Sequence, residues 1–214
     1  MIGSRLETVR IEGMTRHAFV LRGALAAGAV YGAAAVGPVV QAALAQDESA
    51  PSVPQTSDIS ILNFALTLEY LEAAFYTEAL QQVPNLSSEA RKLAEELRDN
   101  EAAHVEALID TLEELDADPV EEPGFIWGDV FASEGSFLKT AVVLEDTGVS
   151  AYNGAGPLLL SKEILAAAGS IVQVEGRHAA LVRGLNGEEP TISAFDAPLT
   201  ENQVLRAVEP FIRS

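Results

Sequence analysis

Glu101-Ala102-Ala103-His104 and Glu175-Gly176-Arg177-His178 are the stretches whose reading decides the fold. Apart from His17 near the start, the chain has no other histidine, and each of these two follows a glutamate by three residues. On an α-helix, residues three apart are neighbours on one face, so a carboxylate oxygen and an imidazole nitrogen can grip the same metal ion. Hard or borderline ions such as iron and manganese accept that mixed ligand set.

Working outward, each pair interrupts an apolar stripe with helical spacing. The first reads Leu93, Leu97, Glu101, His104, Leu108, Leu112, Leu115, and the second Ile164, Ala168, Ile171, Glu175, His178, Val182, Leu185. Two further stripes are broken in the same way: Leu62, Leu66, Glu69, Ala73, Tyr76, Leu80, and Leu138, Val142, Glu145, Val149, Tyr152. Helices are expected over about 57–82, 87–116, 134–152 and 161–185. The second opens on Ser87 as an N-cap with Glu89 in its first turn, and the third stops at Asn153-Gly154-Ala155-Gly156-Pro157. No segment carries sustained strand alternation.

The first and second helices are joined by a short turn, as are the third and fourth, which makes each pair an antiparallel hairpin. The connection between the hairpins holds Pro119, Pro123, Phe125, Trp127 and Phe131 and is long enough, when extended, to return along the whole bundle. The expected architecture is an all-α four-helix bundle with one long crossover over residues 57–186. Trp127 is read as a packing anchor of the crossover. An irregular extension, 187–214, with a short helical stretch to about Val208, is expected to pack on the outside.

Helix midpoints share one level in such a bundle, so Glu69, Glu101, Glu145 and Glu175 should converge with His104 and His178. Burying an isolated ionised carboxylate costs several kcal/mol, and four together repel one another. No lysine or arginine falls on the stripes at that level. Two divalent cations would neutralise four carboxylates and leave the histidines as neutral donors. Glu72, three residues after Glu69, reads either as a carboxylate behind the ligands or as a helix-face charge. Glu78, Glu95, Glu96, Glu106, Glu113 and Glu114 lie off the stripes and read as solvated faces. Tyr76 and Tyr152 read as core tyrosines with bonded hydroxyls.

The segments Leu68-Glu69-Tyr70-Leu71-Glu72-Ala73-Ala74-Phe75-Tyr76, Asn100-Glu101-Ala102-Ala103-His104, Glu145-Asp146-Thr147-Gly148-Val149-Ser150-Ala151-Tyr152 and Glu175-Gly176-Arg177-His178-Ala179-Ala180 resemble the ferritin-like superfamily, and within it the exported, desiccation-related branch. The resemblance implies Glu69 and Glu145 as terminal ligands, Glu101 and Glu175 as bridging ligands, and one of His104 and His178 for each of two iron or two manganese ions. It further implies either a redox centre that reacts with dioxygen or peroxide, or a stress-protective protein in which the metals only cross-link helices. Ferritins proper close into hollow cages in the cytoplasm. An exported chain with an irregular tail gives no reason to expect iron storage of that kind.

The first 46 residues read as an export signal. Arg5, Arg10, Arg16 and Arg22 precede an uncharged, Ala- and Gly-rich run from Gly23 to Ala45, and Ala43-Leu44-Ala45 resembles a cleavage site before Gln46. Thr15-Arg16-His17-Ala18-Phe19-Val20 is similar to a twin-arginine motif whose second arginine is histidine. An uncleaved anchor is the other reading, though Pro38, Gln41 and four glycines make the run a poor one. Residues 47–56 read as a tether, and the expected location is extracytoplasmic.

The whole chain carries a net charge of −19, and without the leader's four arginines and two glutamates it is more negative still. Such a surface repels nucleic acid and anionic membranes. There is no cysteine, which excludes disulfides, thiolate metal sites and cysteine nucleophiles. Metal ions and dioxygen or peroxide are the expected partners, and no oligomer interface is legible.

Overall fold

The structure, a computed structural model, describes residues 56–213. The leader and most of the tether lie outside the described residues. Four long helices follow one another: α1 (Thr56–Gln82), α2 (Ser88–Glu114), α3 (Glu134–Ala155) and α4 (Lys162–Leu185). A short α5 (Glu201–Val208) closes the chain, with single 3₁₀ turns at Gly156–Leu158 and Glu209–Phe211. Among the described residues there is no strand, only an isolated bridge between Phe125 and Ile212. None of the helices described is long and apolar enough to cross a membrane.

Local chemistry sets the helix ends. Ser87 caps α2 by accepting from Ala90 N at 3.1 Å, and Ser133 caps α3 through a reciprocal pair with Ser136. Ser161 caps α4 by accepting from Ile164 N. Asn85 and Asp116 take positive φ of 55° and 53° where the chain leaves α1 and α2, a conformation that Asn and Asp tolerate better than most residues.

The two hairpins, α1–α2 and α3–α4, pack side by side with α1 against α3 and α2 against α4. Contacts at the bundle ends fix the direction. At one end Glu134, opening α3, accepts from Ser87 N beside the end of α1. At the other, Asp58 at the start of α1 accepts from Leu160 N and Ser161 N, both at 2.9 Å, where α4 begins. Neighbouring α1 and α3 therefore run antiparallel, and the crossover spans the bundle's length. Its aromatic end is anchored by Trp127, buried against Phe75, Phe125, Phe131 and Phe211 with ring centroids 5.5–6.1 Å apart.

Two expectations need correction. The third helix does not stop at Tyr152 but runs through Gly154 to Ala155, and Pro157 within the following 3₁₀ turn ends it. The glycine serves the tail instead: a Cβ at position 154 would lie 1.9 Å from Leu199 O, whose own N–H bonds Ser150 O at 3.0 Å. The stripe read on α1 is also too narrow. Ala73 and Leu80 are only half-buried, while Leu68, Leu71, Glu72 and Phe75 are buried, because the crossover aromatics cover a second face of this helix.

The tail is held at its two ends. Residues 187–198 are exposed, whereas Val204 and Val208 of α5 are buried, and α5 lies against α3. Beyond it the chain pairs with the crossover, through Ile126 N to Phe211 O at 2.9 Å and Arg213 N to Gly124 O at 2.8 Å.

Candidate metal centre

The four helices bring their central residues to one level. Glu69 and Glu101 are the middle residues of α1 and α2, and Glu145 and Glu175 lie within two residues of the midpoints of α3 and α4. Apolar clusters fill the bundle on either side of this layer. Leu62, Leu66, Leu108, Leu112 and Ile171 lie toward the start of α1, and Phe75, Leu97, Phe137 and Val182 toward its end. The polar groups are therefore enclosed in hydrocarbon, where charge is least tolerated.

All six residues singled out from the sequence meet in this layer. Glu69, Glu101, His104 and Glu175 form one group whose ligand atoms all lie within 4.8 Å of one another, and Glu101, Glu145, Glu175 and His178 form a second. Glu101 and Glu175 belong to both. The first group centres on His104 Nδ1, which is 3.1 Å from Glu69 Oε2, 2.9 Å from Glu101 Oε2 and 3.1 Å from Glu175 Oε1. In the second, His178 Nδ1 is 2.8 Å from Glu101 Oε1, 3.5 Å from Glu145 Oε2 and 3.9 Å from Glu175 Oε2. Each shared glutamate thus turns one oxygen toward each histidine. His104 is the one partly exposed member of the set; the four glutamates and His178 are buried.

The outer atoms of these residues are held by neighbours. Tyr76 on α1 donates its hydroxyl hydrogen to Glu145 Oε1 on α3, and Tyr152 on α3 donates to Glu69 Oε1 on α1 at 2.5 Å. Asn100 places its carboxamide 3.0 Å from His178 Nε2. The atom placed there is the amide nitrogen, Nδ2; a half-turn of the amide would put its oxygen there to accept from Nε2–H and leave the Nδ1 lone pair for the interior. Asn100 was not singled out from the sequence as a site residue. Arg183, buried one turn beyond His178, is engaged by Asp146 and Glu188 and adds no positive charge to the cluster.

The inner atoms are not satisfied. Among the described residues, six buried side-chain polar atoms lack a hydrogen-bond partner. All but Trp127 Nε1 are here: Glu101 Oε1, Glu145 Oε2, Glu175 Oε1 and Oε2, and His178 Nδ1. Glu101 Oε1 and His178 Nδ1 are 2.8 Å apart yet not aligned for a hydrogen bond. Buried polar groups are almost always paired. Five unpaired donor atoms converging from three helices are what a set of oxygen and nitrogen ligands looks like, and the residues fit metal ions.

The electrostatics agree. Burial pushes Glu175 and Glu72 well above the usual carboxylate range, with the surrounding carboxylates adding to the shift, and it lifts Glu101 to about 7. Burial acts the same way on Glu69, but hydrogen bonds from His104 and Tyr152 hold it below its ordinary value. Burial disfavours the imidazoliums, yet the close carboxylates of Glu101 and Glu145 outweigh it at His178 and raise that group to about 10, and His104 is raised by its three carboxylates. The cluster thus collects positive charge by taking up protons.

Glu72 settles between its two expected readings. It is buried, 3 % exposed, so it is not a helix-face charge. It is also absent from both four-residue groups. Glu95, Glu96, Glu106, Glu113 and Glu114 are exposed and Glu78 half-buried, as expected for residues off the stripes.

Residues 57–188, more than half of the chain, match the family model of the ferritin-like domain. Among solved structures the chain is similar to a conserved hypothetical protein from Mycobacterium tuberculosis. The two share 16% sequence identity, with a TM-score of 0.56, over 65% of this chain and 97% of that one. No curated protein sequence matches the chain.

Proposed function

The chain belongs to the ferritin-like family, and we propose that its buried cluster binds a pair of iron or manganese ions as a redox centre for dioxygen or peroxide. The observation that carries this reading is the sharing of Glu101 and Glu175 between two four-residue groups, each completed by its own glutamate and histidine. Glu69 and Glu145 then act as terminal ligands, Glu101 and Glu175 as bridges, and His104 and His178 as one imidazole per ion. A bound pair of such ions supplies changes of oxidation state and open coordination positions.

The protein's part is positioning and proton handling. The crossed bonds from Tyr76 and Tyr152 fix the orientation of the terminal carboxylates. Protons held on the two histidines and the raised carboxylates leave as ions bind, because ligands must be deprotonated. The apolar layers on both sides keep bulk water from the reacting groups. The leader, 1–46, supports action outside the cytoplasm.

A second reading is favoured by the net charge of −19: a stress-protective protein whose ions staple the helices and whose hydrated acidic surface does the useful work. One experiment separates the readings. Elemental analysis of the protein purified without chelators is paired with a peroxide-consumption assay on the same sample. Two iron or manganese ions per chain with turnover support the redox centre, and two without turnover support the staple. No stoichiometric metal after anaerobic reloading sinks both.

A further inference from the structure

The ligand sets of α1 and α3 are built on one pattern with one exception. Glu69 is followed after seven residues by Tyr76, and Glu145 after seven by Tyr152; each tyrosine reaches across to the other helix's glutamate. Position three of the pattern is Glu72 on α1 and Gly148 on α3. Because the helices are antiparallel neighbours, these two positions face each other across the seam, between the crossed Tyr–Glu bonds. A Cβ added at Gly148 would lie 3.1 Å from Glu72 Oε1, 3.6 Å from Glu72 Oε2 and 3.4 Å from Glu175 Oε2. Gly148 is thus the space into which the Glu72 carboxylate fits.

That space adjoins the cluster on the side that carries no imidazole. Both histidines come from α2 and α4, so the α1–α3 seam is the face of the cluster without an imidazole. Glu175 Oε2, next to the gap at Gly148, is the bridging oxygen turned toward His178. Glu175 Oε2 and Glu145 Oε2 are both buried without a hydrogen-bond partner. A carboxylate 3 % exposed beside unpartnered ligand atoms is expensive to keep without a counter-charge.

We propose that Glu72 is a seventh ligand, a fifth carboxylate that reaches the ion held by Glu145 and His178 through the gap left by Gly148. This rests on the metal-centre reading above and adds a ligand to it. Glu72 stands outside the four-residue groups, so it joins by a side-chain rotation rather than as part of the preset cage. It would add a carboxylate to one four-residue group only, which would make the two groups unequal as metal sites.

Anaerobic titration with cobalt(II), whose d–d absorption reports coordination, tests this on wild type, Glu72→Gln and Gly148→Ala. Wild type is expected to take up two ions. Glu72→Gln should keep both sites, with one weakened at least about tenfold and its d–d spectrum altered. Gly148→Ala keeps every carboxylate but puts a methyl where Glu72 must pass, and should weaken the same ion. Unchanged affinities and spectra in folded Glu72→Gln overturn the assignment. So does a change in Glu72→Gln with none in Gly148→Ala, since Glu72 would then act through charge alone. If Glu72→Gln does not fold, Glu72→Asp, which keeps the charge but shortens the reach, decides in its place, with one ion weakened if Glu72 is a ligand and none if it is not. Failure of wild type to bind cobalt stoichiometrically removes the metal centre, and this ligand with it.

Discussion

His104 and His178 stand with ring centroids 6.1 Å apart and planes 31° from parallel, each turning Nδ1 toward Glu101 and Glu175. The histidines are private to one four-residue group each, and the two glutamates are common to both. Loss of a private ligand and loss of a shared one must therefore differ.

His104→Ala is expected to leave one tightly held ion per chain, and Glu101→Ala to leave none. Elemental analysis after anaerobic loading and desalting reads the difference. Equal loss in the two variants would mean that the groups are not two sites sharing an edge.

Stability of the metal-free protein should fall as pH rises. His178 moves from an ordinary 6.5 to about 10 on folding, so its contribution is complete below about 6.5 and lost as pH climbs through 10. Glu101 moves from 4.5 to about 7, so its contribution is lost between those values. Both work in one direction, and the melting temperature should decline from pH 5 to pH 10. Metal affinity should rise over the same range, because ions displace those protons. Thermal melts of metal-free and loaded protein at pH 5.5 and 9 check the opposite slopes; a metal-free protein most stable at alkaline pH would contradict the charge assignment.

Tyr76→Phe and Tyr152→Phe each delete one donor to a buried carboxylate. Either should cost about 1–3 kcal/mol in urea unfolding of the metal-free protein. Both should still bind two ions, since neither tyrosine is placed among the ligands. A variant as stable as wild type would mean that its tyrosine–glutamate bond does not hold the α1–α3 seam.

Gly154→Ala pushes a methyl into Leu199 O, only 1.9 Å from the ideal Cβ position. Overpacking of this kind costs about 1–3 kcal/mol. The strain should be relieved by lifting the tail off α3, so faster limited proteolysis within 187–200 is the specific readout. An unchanged cleavage rate would mean that the helix, not the tail, absorbs the methyl.

The helix boundaries were legible in the sequence where a cap states them locally, as Ser87 does by bonding Ala90 N within its own first turn. The convergence of the six residues was legible because Glu101–His104 and Glu175–His178 sit on clean stripes, each with one apolar face. Glu72 was not, because α1 is buried on two faces and periodicity cannot choose between Glu69 and Glu72 when neither side is polar. The end of α3 was misread because Gly154 looks like a helix breaker. The reason for it is the approach of Leu199, forty-five residues away, which no local pattern records. Asn100 escaped because a polar residue beside a ligand looks the same whether it faces solvent or an imidazole.

Asp58, which ties the start of α1 to the start of α4, and Glu134, which ties the start of α2 to that of α3, clamp the two ends of a layer whose ligands are split evenly between the hairpins. Prising the hairpins apart pulls each four-residue group to pieces, since neither can be completed from one hairpin alone. If the cluster holds ions as proposed, escape of an ion and separation of the hairpins are one event. An ion's residence time becomes a clock for how often the bundle opens, and a leaky centre would be the earliest sign of a loosened fold.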